Sequence, residues 1–225
     1  YLEPHIQRWY LDLPGHGLIR GWNVYYGLAH FLVTLVALVW MFRRDPTRYP
    51  VLRTTLAVTT CLAVVGFAAY SLMPPRLLDD PGPFGACQIY APDAPSAAAP
   101  GDLSAPGCHR YGYVDTVARY GGWVSFGNDG MKDVSNQYAA MPSMHIGWST
   151  WSAIVLVPLL RRRWAKVLAA IYPAITLVCI VLTANHYWID GVGGLVCLGA
   201  GYSLARVITA RTSLHGRRRD AVPGL

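Results

Sequence analysis

Charged residues are scarce in this sequence: Asp, Glu, Lys and Arg together make up 14% of its 225 residues, whereas 53% are hydrophobic. A soluble domain carries about a quarter charged residues. The sequence also lacks an internal repeat, a glycine-rich nucleotide-binding loop and the cysteine spacing of a zinc site. These absences argue against a soluble nucleotide-binding or zinc-stabilised protein and indicate a chain that lies in lipid.

Five apolar stretches are long enough to cross a bilayer as helices, which takes about 20 residues each. They cover Trp22–Phe42, Leu52–Met73, Ser143–Leu160, Trp164–Ala184 and Tyr187–Arg206. Pro and Gly interrupt some of them, which membrane helices tolerate. The sequence therefore predicts an all-α, polytopic membrane helix bundle with the lipid bilayer as its surroundings.

Basic residues are concentrated after the first, third and fifth predicted spans, whereas the connection 74–136 holds four basic and seven acidic residues. Positive connections stay on the cytoplasmic side of a membrane. We therefore expect 74–136 to form an extracytoplasmic cap loop and 211–225 a basic cytoplasmic tail, in the plasma membrane or an equivalent membrane. The net charge of +7 reflects this topology, and no nucleic-acid-binding motif accompanies it.

This orientation places the amino end outside, so we expect a sixth, upstream helix before Tyr1 in the intact protein. The aromatic-rich segment 1–21 is then expected to lie at the outer membrane interface. Residues 1–225 are expected to form a single membrane-embedded domain. Cys87 and Cys108 both fall in the cap loop, where an oxidising compartment would permit a disulfide between them.

Two short segments place histidines at the ends of predicted spans. One reads AMPSMH and ends at His145; the other reads NHYWID and ends at Asp190. His186 and Asp190 are four residues apart and share a helix face, so the carboxylate can hold the imidazole in one tautomer. Ser143 at the start of a helix offers a hydroxyl and backbone N–H groups to an anion. The pattern predicts a histidine nucleophile, a second histidine as acid, and phosphoryl transfer at a membrane.

Arg76 ends the second span on the same membrane face, so candidate residues from three separate spans converge there, and Arg76 is a further candidate for binding the phosphate. Asn185 adjoins His186 and is a candidate for a supporting hydrogen bond. His30, within the first span, is interpreted as a packed, hydrogen-bonded residue. Two alternatives stay open. One is a metal site with His145, His186 and Asp190 as ligands. The other is a transporter or scaffold with an intramembrane polar cluster.

The two segments resemble the second and third signature motifs of the type 2 phosphatidic acid phosphatase superfamily, PSGH and SRx5Hx3D. The wider match, over roughly residues 72–194 and including NQYAAM at 136–141, resembles the branch that holds inositol phosphorylceramide synthase, the aureobasidin-resistance protein. The resemblance implies that His186 forms a phosphohistidine, that Asp190 orients it, and that His145 serves as acid and base. It also implies that Ser143 and backbone N–H groups such as that of Met144 hold the phosphate, without a metal or other cofactor.

The sequence departs from the family pattern at two cationic positions. Ala69 stands where the first motif has Lys, and Ile180 where the third has Arg; Leu77 also replaces the Pro that follows Arg76. Residues of the cap loop that could restore the missing phosphate contacts are Lys132, Arg110 and Asn136. A phosphate monoester carries close to two negative charges and a diester one, so fewer cations match a diester better.

We therefore expect an enzyme that transfers a phosphorylated head group from a phosphodiester membrane lipid, such as a phosphoinositide, to an alcohol. A phosphatase for phosphatidate or polyprenyl phosphate is the enzymatic alternative, in which water replaces the alcohol. The sequence leaves open the donor lipid, the acceptor and the oligomeric state.

Overall fold

The chain forms a helical bundle. The computed structural model describes residues 2–14, 17–80, 84–86, 111–121 and 138–220, with side chains up to 212, and these ranges contain no β-strand. The helices are α1 (Glu3–Leu11), α2 (Gly17–Arg44), α3 (Tyr49–Ala69), α4 (Thr116–Tyr120), α5 (Met144–Leu159), α6 (Arg163–Leu182) and α7 (Trp188–Asp220). A short 3-10 helix covers Pro75–Leu77. The predicted all-α, polytopic membrane bundle is confirmed.

Four helices, α2, α3, α6 and α7, are long and apolar enough to cross a membrane. The remaining predicted span, α5, has 16 residues, a length of about 24 Å against a hydrocarbon thickness of about 30 Å. It is short because the backbone is extended at Ser143 and again at Leu160, where ψ is 109° and 139°. The segment that leads into α5 is therefore non-helical, which membrane proteins tolerate where such backbone is buried or lines a cavity.

Three other helix boundaries differ from the prediction. Helix α2 begins at Gly17 instead of Trp22, so it includes the end of the predicted segment 1–21. Helix α3 ends at Ala69 instead of Met73, because Tyr70 leaves the helical conformation and Leu72 instead pairs with the segment before α5. The Leu72 carbonyl accepts the Ala140 N–H at 3.3 Å. Helix α7 continues to Asp220, so most of the predicted tail extends the last helix.

Helix α5 lies at the centre of the bundle and packs against α2, α3, α6 and α7. Trp151 is fully buried there and donates its indole N–H to the Leu52 carbonyl at 2.8 Å. The Thr34 and Ser152 hydroxyls are hydrogen-bonded at 3.1 Å and join α2 to α5. Large apolar side chains on the outer faces of α2, α3, α6 and α7 are exposed; examples are Leu35, Val64, Val178 and Val196. Such a surface is suited to lipid.

Polar side chains tie α1 and the 111–121 segment to one end of the bundle. Gln7 is fully buried, donates to the Val114 and Leu182 carbonyls at 2.8 and 3.0 Å, and accepts the Val114 N–H at 3.0 Å. Asn23 donates to the Thr116 carbonyl at 2.9 Å. These contacts give the described part of the predicted cap loop a fixed place above the ends of α2 and α6.

Helix α7 approaches the start of α5 through a glycine. A Cβ added at Gly194 would overlap the Ser143 carbonyl oxygen and lie 3.2 Å from the Gly147 nitrogen. Further along the same helix, a Cβ at Gly199 would meet nothing within 4 Å. The absence of a side chain at Gly194 therefore permits the contact between the two helices.

We expect Gly194→Ala to lower the free energy of unfolding by about 1–3 kcal/mol, because backbone atoms cannot yield as a flexible side chain can. Gly199→Ala is the matched control and should be neutral or stabilising by up to about 1 kcal/mol, since Ala is the better helix former. Thermal unfolding of both variants in the same detergent measures the difference. Equal stability of the two variants would contradict this packing.

Candidate active site

Two helix N-termini meet at the site. The N–H of Ser143, the residue before α5, donates to the Asp190 carbonyl in the first turn of α7 at 2.9 Å. Helix geometry leaves the first-turn N–H groups without intrahelical acceptors and concentrates positive partial charge there. The contact therefore brings two partially positive helix ends together, with sequence-predicted site residues on both.

His186, just before α7, is 4% exposed and held through its Nδ1 atom. That atom lies 2.7 Å from the Ala140 carbonyl oxygen and 3.4 Å from Oδ2 of Asp190. A backbone carbonyl only accepts, so Nδ1 carries a proton and donates it. In the neutral ring, Nε2 is then the nitrogen with a free lone pair, which is the form a nucleophile requires.

His145, in the first turn of α5, faces this lone pair. Its Nδ1 atom lies 3.2 Å from Nε2 of His186. Because Nε2 of the neutral His186 ring accepts, Nδ1–H of His145 donates. The two predicted histidines, 41 positions apart in the sequence, are thus joined by a hydrogen bond between their rings.

Asp190 is fully buried and fixes the start of α7. Its Oδ2 accepts the Tyr187 N–H at 2.9 Å, so the carboxylate reaches back to the helix start as an acidic residue does in a capping box. Its other oxygen, Oδ1, has no hydrogen-bond partner among the described residues. The carboxylate therefore combines a structural bond with a position beside the His186 ring.

Ser143 presents a second buried oxygen. It is fully buried, and its hydroxyl makes no hydrogen bond within the described ranges, including no capping bond to α5. A buried hydroxyl normally has a partner. The N–H groups of Met144 and His145 in the first helical turn lie beside it in the sequence. This combination is suited to the oxygens of an anion.

Arg76 and Asn185 are close to the histidines along the chain, but their described hydrogen bonds go elsewhere. The Arg76 guanidinium donates to Asp115 at 3.1 Å, and its backbone N–H donates to the Ala184 carbonyl at 2.8 Å. The Asn185 side chain donates to the Thr183 carbonyl at 3.3 Å. Arg76 is thus anchored at the edge of the turn that leads into His186.

Several predicted residues lie outside the described ranges. They are Lys132, Arg110 and Asn136, and the cysteines of the predicted disulfide, Cys87 and Cys108. Within those ranges, Cys61, Cys179 and Cys197 are free thiols.

The metal alternative receives no support from the geometry of the described residues, which contain no group of three or more His, Cys, Asp and Glu side chains that could hold an ion. His186 directs one ring nitrogen to Asp190 and the other to His145, so the three side chains do not face one point.

Three contacts of the two histidines were not predicted from the sequence. The Ala140 carbonyl is the nearest acceptor for the His186 ring. On α2, the Tyr26 ring is stacked on His145, and the His30 ring also contacts it, with centroid distances of 4.3 and 4.2 Å. The signal that could have revealed the last two is their spacing, since residues four apart share one helix face.

A cavity of about 430 Å³ adjoins the loop segments of the site. Its described lining includes Tyr70, Leu72, Tyr111, Met141 and Tyr187, and none of the described lining residues is charged. Met141 follows Ala140, and Tyr187 follows His186. The cavity therefore offers an apolar, aromatic space next to the backbone that holds the candidate nucleophile.

The comparison with protein families agrees with this arrangement. A model of the PAP2 superfamily matches residues 2–204. The chain belongs to the PAP2 superfamily. Neither the curated proteins nor the solved structures contain a match to it. Because the superfamily contains phosphatases and phosphotransferases, this PAP2 protein is an integral membrane enzyme of the phosphatase or phosphotransferase type.

Proposed function

We propose that this PAP2 protein is a lipid head-group phosphotransferase that works through a phosphohistidine at His186. The observation that carries the proposal is the position of the Nδ1 atom of that ring, 2.7 Å from the Ala140 carbonyl oxygen and 3.4 Å from Oδ2 of Asp190. Ala140 and Asp190 hold the proton at Nδ1, which leaves the lone pair at Nε2. A neutral, oriented imidazole is a competent nucleophile toward phosphorus.

The reaction has two steps, and His186 and His145 act on the same phosphorus in both. In the first, Nε2 of His186 forms a bond to phosphorus while the bond from phosphorus to the lipid oxygen breaks, and protonated His145 gives its proton to that oxygen. In the second, His145 takes the proton of the acceptor hydroxyl, whose oxygen attacks phosphorus as the nitrogen–phosphorus bond breaks. Asp190 stabilises the positive charge that the His186 ring carries between the steps.

The non-bridging phosphate oxygens would be held by Ser143 and by the N–H groups of Met144 and His145. The Ser143 hydroxyl is buried without a partner in the described part of the chain, so it is free to donate to an incoming oxygen. Charge that develops on phosphate oxygens is stabilised best by donors already in place. The two converging helix N-termini add positive partial charge at this point.

The charge of the site favours a diester as the substrate. The two cationic positions of the family motifs hold Ala69 and Ile180, and the Arg76 guanidinium is paired with Asp115. Helix ends contribute about half a charge each, which suits one negative charge better than two. Lys132 and Asn136 of the cap loop are proposed to complete the phosphate contacts.

These features support the inositol phosphorylceramide synthase-like branch, with a phosphoinositide as donor and a lipid alcohol as acceptor. The uncharged cavity beside Met141 and Tyr187 is suited to a neutral part of such a substrate. We further propose that residues 1–225 act as one domain with the site on the extracytoplasmic face and the carboxyl end in the cytoplasm. The distribution of basic residues supports this orientation.

The test uses purified protein in vesicles with two donors, phosphatidylinositol labelled in inositol and phosphate, and phosphatidate labelled in phosphate. The acceptor is a lipid alcohol such as ceramide. The proposal predicts that inositol and phosphate labels move together to the acceptor and that phosphatidate is a poor substrate. Release of inorganic phosphate from phosphatidate alone would identify a phosphatase instead. Absence of turnover with both lipids would favour a transporter or scaffold.

A further inference from the structure

Helix α2 contributes two aromatic rings that enclose part of the His145 side chain. Tyr26 and His30 are four residues apart and share a face of this helix. The Tyr26 ring lies 4.3 Å from the His145 ring at an interplanar angle of 19°, and the His30 ring lies 4.2 Å away at 59°. His145 is therefore in contact with α2 as well as with His186.

His30 is itself held in place. It is 7% exposed, and its Nδ1 atom donates to the Tyr26 carbonyl at 3.1 Å. The donor role follows because the carbonyl oxygen only accepts. In the neutral ring, Nε2 of His30 then keeps a lone pair that can accept an N–H group. The bond also links the two residues that contact His145.

The distance between the two catalytic rings shows why such contacts matter. Nδ1 of His145 lies 3.2 Å from Nε2 of His186, which is a hydrogen-bond distance. A phosphoryl group attacked in line must lie between the nucleophile and the acid. The His145 ring must therefore move away from His186 when a substrate binds, and the rings on α2 limit the positions that it can take.

We propose that Tyr26 and His30 are positioning residues for His145, a proposal that rests on the phosphotransfer function proposed above. The face of an aromatic ring carries negative partial charge, so the stacked Tyr26 ring stabilises the protonated form of the His145 imidazole. The His30 ring, 4.2 Å from the His145 ring between centroids, supports that ring at its side. Both residues act on the departing oxygen only through His145.

If Tyr26 and His30 position His145, the effect of replacing them depends on whether the leaving group needs a proton. When His186 displaces diacylglycerol from phosphatidylinositol, the alkoxide needs the proton of His145 as the phosphorus–oxygen bond breaks. When it displaces 4-nitrophenol from inositol 1-(4-nitrophenyl phosphate), the phenolate leaves as an anion and needs no proton. In the first step, a residue that positions the acid therefore matters for phosphatidylinositol only. His145 acts as base in the second step with either substrate, so the first step is measured separately, as release of the leaving group in a single turnover.

The experiment compares Tyr26→Leu, Tyr26→Phe and His30→Ala on both substrates. In single turnovers, the first and third variants should slow diacylglycerol release from phosphatidylinositol by about 10- to 100-fold, a part of what general acid catalysis contributes. For nitrophenol release from the nitrophenyl ester, we expect a loss below about threefold. Tyr26→Phe keeps the stacked ring and should retain wild-type activity. KM should change little in all three. If the wild type prefers monoesters, phosphatidate and 4-nitrophenyl phosphate form the matching pair.

Thr34→Val is the matched control, because Thr34 lies one turn further along the same face and bonds Ser152, two turns beyond His145 on α5. It should affect both substrates equally and weakly. An equal loss on both substrates in Tyr26→Leu and His30→Ala would overturn the proposal, since it would show a structural role; so would unchanged activity. Failure of the wild type on both substrates would instead overturn the proposed function.

Discussion

His186→Asn is expected to reduce lipid phosphoester turnover by at least about 10⁴-fold, the scale of losses seen when a covalent nucleophile is removed. The asparagine amide can still donate to the Ala140 carbonyl, which now accepts from Nδ1 of the histidine at 2.7 Å. What the variant lacks is a nitrogen in the position of Nε2. Turnover of labelled lipid by the purified variant measures the loss, and unchanged thermal stability shows that the fold is retained.

His5→Asn is the control for this substitution. His5 is an exposed histidine on α1, a helix that carries none of the candidate site residues. Its replacement should leave turnover unchanged. A His186→Asn protein that keeps more than about one per cent of wild-type turnover would contradict the role of His186 as nucleophile.

Asp190→Asn is expected to lower kcat by about 10³-fold without unfolding the protein. The amide oxygen can replace Oδ2, which accepts the Tyr187 N–H at 2.9 Å and lies 3.4 Å from the His186 ring. The negative charge is lost, however, and with it the stabilisation of the positive ring that forms when nitrogen bonds to phosphorus. Steady-state kinetics on the preferred lipid donor measure the effect.

Asp45→Asn provides the comparison at the opposite end of α2. Asp45 accepts hydrogen bonds from the Thr47 hydroxyl and the Arg48 N–H, and these bonds lower the pKa of its carboxyl. Because it is far along the chain from the site, its amide variant should keep wild-type kcat. A loss below tenfold in Asp190→Asn would show that the carboxylate charge does not support the reaction.

The helices could be predicted from the sequence because long apolar stretches have few alternatives in a membrane protein. Their ends could not all be predicted, because they depend on contacts between distant segments. Helix α3 ends early since Leu72 pairs with the segment before α5. That pairing has no signal in local hydropathy, whereas α5 lies within one residue of its predicted bounds at each end.

The same distinction applies to the candidate site. The pairing of His186 with Asp190 was predicted from their separation of four residues, but the shared helix face on which that prediction rested is wrong. His186 lies before α7, and Asp190 contacts it from the first turn of that helix. The Ala140 carbonyl contributes through its backbone, which every residue type possesses, so no residue identity indicates it. The ring contacts of Tyr26 and His30 depend on how α2 packs against α5. Their chemical roles remain predictions that the proposed experiments address.

The central claim is tested most directly by capture of the covalent intermediate. Wild type and His186→Asn are incubated with phosphatidylinositol labelled in phosphate and inositol, quenched rapidly, and examined for acid-labile label on the protein. We expect both labels on the wild type, none on the variant, and release of the wild-type label when an acceptor alcohol is added. Equal label on both proteins, or wild-type turnover with no label at any time, would contradict it.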